Sequence, residues 1–356
     1  MDYNYLFIWV GILAFIASST TTGYFTDENG YEQYKTGKMF AIVTFIPIIY
    51  FVVTSTWKYW GDFSLYLSNY SVFPTDFTEA VSTIKGYADS NFFYAFTYLI
   101  KVLSGGSEFT YRLSLALLQT VPIIYMLRKY SVNYVFSVYM FIVSAVPLAW
   151  MLNGVRQLCA AAIIYGATQM YLDKKYVKTV ILILFAAMFH QSAILVLPMV
   201  FICQGKSWNK KTLLCILAAI VFVTFFSGLS SSYEAVMSNA GYDMSIYAGD
   251  DGVHPLRVLV NFVPAVLAFR GRDIIKDEDS PIIHFCTNMS LLTFGIYLVA
   301  MVTSGILVGR VPLYTSMYNF ILLPYLIDRM FYGGTRRMMY FATIGLYFVY
   351  YWVQYA

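Results

Sequence analysis

Apolar and polar positions along this 356-residue chain fall in long blocks rather than in the short stripes of a soluble amphipathic fold. Apolar runs at 3–19, 38–56, 110–127, 131–150, 153–172, 212–230, 256–270, 282–302, 311–328 and 338–355 are separated by polar clusters. Blocks of that length match the hydrocarbon thickness of a bilayer when helical. The pattern predicts an all-α polytopic membrane protein with about ten transmembrane helices, forming one integral membrane domain over 1–356.

One apolar stretch does not fit as a span. As a single helix, residues 179–205 would measure about 40 Å, against a hydrocarbon core of about 30 Å. Lysines and arginines mark cytoplasmic loops. Sixteen of the 23 fall inside if this stretch enters and leaves on the same side, and the balance reverses if it crosses. A re-entrant helical hairpin over about 178–206 is therefore predicted, its break at "FHQSA" and its tip at His190, Gln191 and Ser192. Irregular backbone at membrane depth is tolerated where protein buries it or water reaches it. An intramembrane imidazole with that setting points to function.

Composition agrees with the blocks. The chain is 59% hydrophobic and 12% charged, with mean hydropathy +0.63, against about 25% charge in soluble domains. Its 33 Tyr, 29 Phe and 6 Trp gather at the ends of apolar runs, where amphipathic rings settle. No cleavable leader is expected at the N-terminus. The net charge of +4 follows from membrane topology and calls for no nucleic acid. Cys159, Cys203, Cys215 and Cys286 lie singly in or beside apolar runs and read as small core residues, so neither disulfides nor zinc are expected.

Two outer loops carry the polar remainder, 57–109 and 231–255. The first holds an amphipathic helix expected at about 92–104. Both are rich in Tyr, Asp, Asn and Gly, a composition suited to sugars. Four arginines stand at the outer mouths of spans: Arg112, Arg156, Arg257 and Arg310. In a bundle they would converge on one electropositive chamber, and guanidinium holds phosphate oxygens bidentately. Gln157 adjoins Arg156, and Tyr314 is one turn beyond Arg310. With Asp62 and His190 added, the set suits transfer of a group from a lipid-linked pyrophosphate to a hydroxyl. Arginines would hold the departing pyrophosphate, and a carboxylate or imidazole would take the acceptor's proton. No clustered carboxylates suggest a metal, and no cofactor is expected.

In order along the chain come Gly61, Asp62 and Tyr66; "RKYSVN"; the long "NGVRQLCAAAIIYGATQMYLDKKYVKTVILILFAAMFHQSAILVLP"; and "GRVPLY". This series resembles the EpsG family of bacterial exopolysaccharide-synthesis membrane proteins, which belong with the Wzy-type polysaccharide polymerases. The resemblance covers nearly the whole chain and implies a GT-C-like, Wzy-like helical fold. It also implies a polymerase in the bacterial cytoplasmic membrane with an outward-facing site. That enzyme joins oligosaccharide units carried on undecaprenyl pyrophosphate, and a chain-length regulator is an implied partner. Carried over by position, Arg156, Gln157, His190 and Arg310 are the site, with Asp62 or His190 as base. Arg257 and Arg112 join the pyrophosphate set, while Tyr66, Tyr314, Ser192 and Lys58 support the glycan. The chain departs from the family where an arginine and a threonine are expected around "TSTWKYWGD", which offers only Lys58. Two other readings compete: a membrane acyltransferase that modifies polysaccharide, and a flippase for lipid-linked sugars.

Overall fold

A computed structural model describes residues 4–19, 24–26, 32–34, 36–55, 61–87, 90–144, 146–239 and 252–355. The architecture is helical, apart from a three-residue antiparallel ladder pairing β1 (Tyr24–Thr26) with β2 (Glu32–Tyr34). The chain forms two compact units, residues 1–197 with 345–356, and residues 198–344.

The first unit holds α1 (Asn4–Ser19), α2 (Lys38–Val43), α3 (Ile46–Thr54), α4 (Gly61–Val72), α5 (Phe77–Lys85), α6 (Asn91–Leu103) and α7 (Glu108–Tyr130). It continues with α8 (Tyr134–Val143), α9 (Val146–Asn153), α10 (Val155–Gly166), α11 (Thr168–Leu172) and α12 (Tyr176–Ala187). A 3-10 turn (Gln191–Leu195) then leads into α13 (Val196–Cys203), where the second unit begins. The second unit contains α14 (Lys210–Asn239), α15 (Pro255–Arg270), α16 (Arg272–Glu278), α17 (Pro281–Val302), the 3-10 turn Val308–Arg310, α18 (Leu313–Ser316) and α19 (Asn319–Met330). Helix α20 (Gly333–Tyr355) returns to the first unit at Gly345.

Several apolar blocks expected as single spans are pairs of shorter helices. Block 38–56 breaks at Thr44, whose hydroxyl bonds back to the Ala41 carbonyl at 2.6 Å, and restarts with Pro47 in the first turn of α3. Proline is favoured at such a position because the missing amide would be unpaired anyway. Block 131–150 divides into α8 and α9, with Pro147 at the head of α9. Block 311–328 divides into α18 and α19. Among the described residues, α17 alone is long and apolar enough to cross a bilayer unaided. Helix α14 continues to Asn239, so the first part of the expected outer loop is helical; positions 240–251 lie outside the described residues, as does Lys58.

In the first unit, α7 and α10 pack side by side because α10 is built from small residues. Ala160, Ala161 and Ala162 are buried, and a side chain at Gly166 would place its Cβ 2.7 Å from the Pro122 Cβ of α7. Small residues of this kind let helix backbones approach where lipid offers no hydrophobic drive. Helix α4 is held at its end by α6: the buried Lys101 Nζ donates to the carbonyls of Tyr70 (2.8 Å) and Ser71 (2.9 Å). A cation there complements the negative end of the helix.

In the second unit, α14 and α15 both pack on α17, and Gly295 leaves room for Ile216, whose Cδ1 would lie 2.8 Å from an added Cβ. The polar side of α17 ties down the connection between α13 and α14. Asn288 Nδ2 donates to the carbonyls of Cys203 and Lys206 (3.0 Å each), and its Oδ1 accepts from the Trp208 amide at 3.0 Å. His284 accepts the Ser207 amide at Nδ1 (3.2 Å), which leaves Nε2 to donate to Asp279 at 2.9 Å.

Two outcomes are expected. Gly166→Ala would force α7 and α10 apart and cost about 1–3 kcal/mol, visible as a lower thermal midpoint in detergent; an unchanged midpoint would refute the close contact. Asp279 is held below the usual carboxylate range, first by the His284 hydrogen bond and then by the charge of Lys206. A depressed carboxyl contributes stability above its unfolded pKa of about 3.9 and loses it as pH falls through the folded value. Asp279→Asn, which suits the left-handed backbone there (φ 44°), should flatten the acid limb of stability measured from pH 5 downward.

Candidate functional site

The expected break is present, and it begins one residue past α12. The amides of Met188, Phe189 and His190 close back onto the Phe185 and Ala186 carbonyls at 3.0–3.2 Å. His190 is extended (φ −154°, ψ 118°), and its carbonyl then accepts from Ala193 to open the 3-10 turn. A helix that stops leaves carbonyls without partners. The Met188 carbonyl is taken by the Phe92 amide at 3.2 Å, itself one of the unpaired amides in the first turn of α6. Each helix end thus satisfies the other. The Phe92 ring reinforces the joint, 4.7 Å from Phe185 and 5.2 Å from Phe189. The His190 imidazole is half-buried, with Nδ1 2.7 Å from the Ser192 hydroxyl.

Two residues before Phe92, Ser90 occupies the N-cap of α6 but makes no side-chain cap. Its buried hydroxyl accepts instead from Arg156 Nη1. Arg156 Nε donates to the Tyr66 hydroxyl at 3.0 Å, and the guanidinium lies 5.9 Å from the Tyr66 ring centre. Burial raises the Tyr66 phenol against the pull of Arg156, so it stays protonated at neutral pH. Asp62 precedes Tyr66 by one turn of α4, and its charge is felt at the phenol.

Arg156 is the second residue of α10, where unpaired amides and the helix dipole already make the helix end positive. Hydrogen bonds from Nε to Tyr66 and from Nη1 to Ser90 help to fix the guanidinium at that helix end. The preceding Gly154 is needed for space, since a Cβ there would lie 2.3 Å from Trp150 Cδ1. Trp150 Nε1 in turn donates to the buried Gln157 side chain at 3.2 Å. Helix α10 packs against both α12 and the 3-10 turn, so the arginine and the break share one neighbourhood of the first unit.

Of the remaining candidates, Arg112 belongs to the first unit, and Arg257, Arg310 and Tyr314 belong to the second. Arg112 is bound into the fold: Nε donates to Glu108 at 2.8 Å, Nη2 pairs with it at 2.6 Å, and Nη1 donates to the carbonyls of Ser55 (2.7 Å) and Val53 (3.3 Å). It closes the C-terminal end of α3 and covers the Phe63 ring at 5.3 Å. In the second unit, Arg257 and Arg310 flank one apolar cluster. Val258 of α15, Tyr297 and Ala300 of α17, and Val253 form it, and Val308 packs onto it. Gly309, next to Arg310, lies so close to Val253 that a Cβ would approach its Cγ1 to 2.6 Å. Tyr314 is buried in α18. Among the described residues, no group of three or more His, Cys, Asp or Glu is placed to hold a metal ion.

The sequence model of the EpsG family matches residues 4–356. The chain belongs to the EpsG family. EpsG is a Wzy-like polysaccharide polymerase family, and the helical, strongly apolar character of this chain fits an integral membrane protein. No curated protein and no solved structure matches the chain. Three of the stretches quoted for the resemblance lie in the first unit: the Gly-Asp stretch supplies Tyr66, the helix with adjacent Arg156 and Gln157 supplies the arginine, and the Phe-His-x-Ser-Ala segment supplies the break, while "GRVPLY" lies in the second unit.

Ser90 was not foreseen. A serine ahead of "NFFYAF" signals a helix start, and by that rule its hydroxyl belongs to the helix's own amides. Only the fold shows that the hydroxyl goes to an arginine 66 positions away. Replacing Tyr66 by Phe should cost about 1 kcal/mol for the lost bond to Arg156, read as a lower unfolding midpoint; equal midpoints would show the bond to be absent in solution.

Proposed function

We propose that the chain is a Wzy-like polymerase of the bacterial cytoplasmic membrane. It joins undecaprenyl-pyrophosphate-linked oligosaccharide units by metal-independent glycosyl transfer at the outer face. The growing chain is the donor and a fresh lipid-linked unit the acceptor. The acceptor hydroxyl attacks the donor's anomeric carbon, and the bond from that carbon to the pyrophosphate oxygen breaks. The proton passes to His190 or Asp62, and the carrier diphosphate leaves with the bonding electrons.

The observation that carries the reading is Arg156, set at the positive end of α10 and clamped by Tyr66 and Ser90 beside the His190 break. Negative charge grows on the departing diphosphate in the transition state, so a fixed guanidinium favours that state over the bound substrate. When His190 Nδ1 donates to Ser192, Nε2 keeps the lone pair that a base needs. Gln157 and Tyr66 shape the same wall. Arg310, with Arg257 nearby across its apolar cluster, is assigned to diphosphate within the second unit, and Tyr314 supports it. Arg112 leaves the binding set, because Glu108 and the α3 carbonyls already occupy its donors. Lys58 remains assigned to the glycan side. About ten crossings and a re-entrant 178–206 segment complete the topology, several crossings being made of paired short helices. A chain-length regulator is the expected protein partner.

Arg156→Ala and Arg310→Ala should each lower polymer yield about 100-fold or more, with single lipid-linked units accumulating in extracted membranes. Arg156→Lys should recover only part, because a point charge lacks the planar fork. Polymer of normal length and amount in Arg156→Ala membranes would overturn the assignment.

A further inference from the structure

The start of α6 spends its polar groups in an unusual way, and every part of it leads to the site. The side chain of its cap residue makes no cap bond: the Ser90 carbonyl accepts the Tyr94 amide at 3.3 Å, whereas the hydroxyl accepts from Arg156 Nη1. The amide that a cap would normally serve, that of Phe92, is satisfied instead by the Met188 carbonyl at the broken helix. The Ser90 amide is itself bound, to the Tyr87 carbonyl at 3.0 Å, which fixes the turn entering α6. Three residues of backbone, Ser90 to Phe92, therefore run from the guanidinium to the residue pair preceding His190. Ser90 is fully buried, and Phe93 just beyond is fully buried too and packs on Tyr66, the second clamp of the same arginine.

We infer that Ser90 is a positioning residue: its hydroxyl holds Arg156 in register with the Met188–His190 break, so that phosphate holder and proton acceptor are set by one rigid helix end. The inference rests on the proposed role of Arg156 as the diphosphate holder. A guanidinium has several single-bond rotations between it and its backbone, so the orientation of its plane is set by the groups its nitrogens bind. Bonds at two different nitrogens, Nε to Tyr66 and Nη1 to Ser90, contribute jointly to that orientation because the group is planar. Bidentate contact with a diphosphate depends on that plane, and small misplacements of a holding group are costly in rate. A serine kept only to start a helix would have its hydroxyl on the helix's own amides.

The test uses full-length protein in membranes and lipid-linked units extracted from cells that lack the polymerase. Initial rates are measured against donor concentration for the native chain, Ser90→Ala, Ser90→Thr and Arg156→Ala, normalised to folded protein. Ser90→Ala should raise KM for the lipid-linked units about tenfold or lower kcat by a similar factor. Ser90→Thr, which keeps the acceptor, should stay within about twofold of native. If Ser90→Ala does not accumulate in membranes, Ser90→Cys supplies a side chain of similar size with a poor acceptor and gives the same readout. Native KM and kcat in Ser90→Ala alongside an inactive Arg156→Ala would overturn the positioning role and leave the polymerase reading intact. Full activity in Arg156→Ala would instead remove the reading on which it rests. Equal loss in the Ala and Thr variants would also overturn it, since that pattern reports packing rather than a hydrogen bond.

Discussion

A helix that ends away from water must find partners for its last carbonyls, and that constraint organises the first unit. The apolar block at 178–206 cannot continue as one helix and stops at Met188. The carbonyl left open is met by the first turn of α6, a helix that itself begins with unpaired amides. Once those two ends are joined, the cap serine of α6 is released from its usual duty and becomes a ligand for Arg156. The arginine then reaches back to Tyr66 on α4. Four helices are tied together, α12 to α6 by backbone groups that a bilayer will not solvate and α10 to α6 and α4 by the side chain of Arg156, and the polar side chains at the knot are the ones suited to chemistry.

The arrangement separates two uses of arginine that look alike in sequence. Arg112 and Arg156 both lie near the start of a helix, close to aromatic rings. Arg112 answers to a carboxylate and two main-chain carbonyls, the pattern of a group that holds a helix end. Arg156 donates to the hydroxyls of Tyr66 and Ser90, side chains on two other helices or their caps, and those bonds orient its fork. The small residues behind it matter for the same reason: Ala160 to Ala162 and Gly166 press α10 onto α7, so the charge at its tip is carried by a rod with little play.

Much of this was legible beforehand. Length of the apolar blocks gave a helical membrane chain, and the mismatch of the 178–206 stretch with bilayer thickness located the break at "FHQSA" within a residue or two. Arginine placement picked out Arg156, because a cation at the start of an apolar helix needs a reason. The internal breaks of the other blocks were harder to see. Thr44 and Pro47 are weak local signals against a strongly apolar background, and hydropathy averages over them. Long-range partners were invisible: nothing near Ser90 announces Arg156, and nothing near Arg112 announces the carbonyls of Val53 and Ser55. Such pairings depend on helix packing, which periodicity constrains only loosely.

The lysine that closes the end of α4 carries a practical corollary for anyone mapping the outer segment by covalent tagging. Two hydrogens of the Lys101 ammonium are committed to main-chain oxygens, and the group is walled in by neighbouring helices. Acylating reagents that mark accessible amines will pass it by and react at Lys85, which stands in solvent at the end of α5. A footprint that skips position 101 thus reports a native α4–α6 junction, whereas its appearance in the digest marks the moment this corner of the fold comes undone.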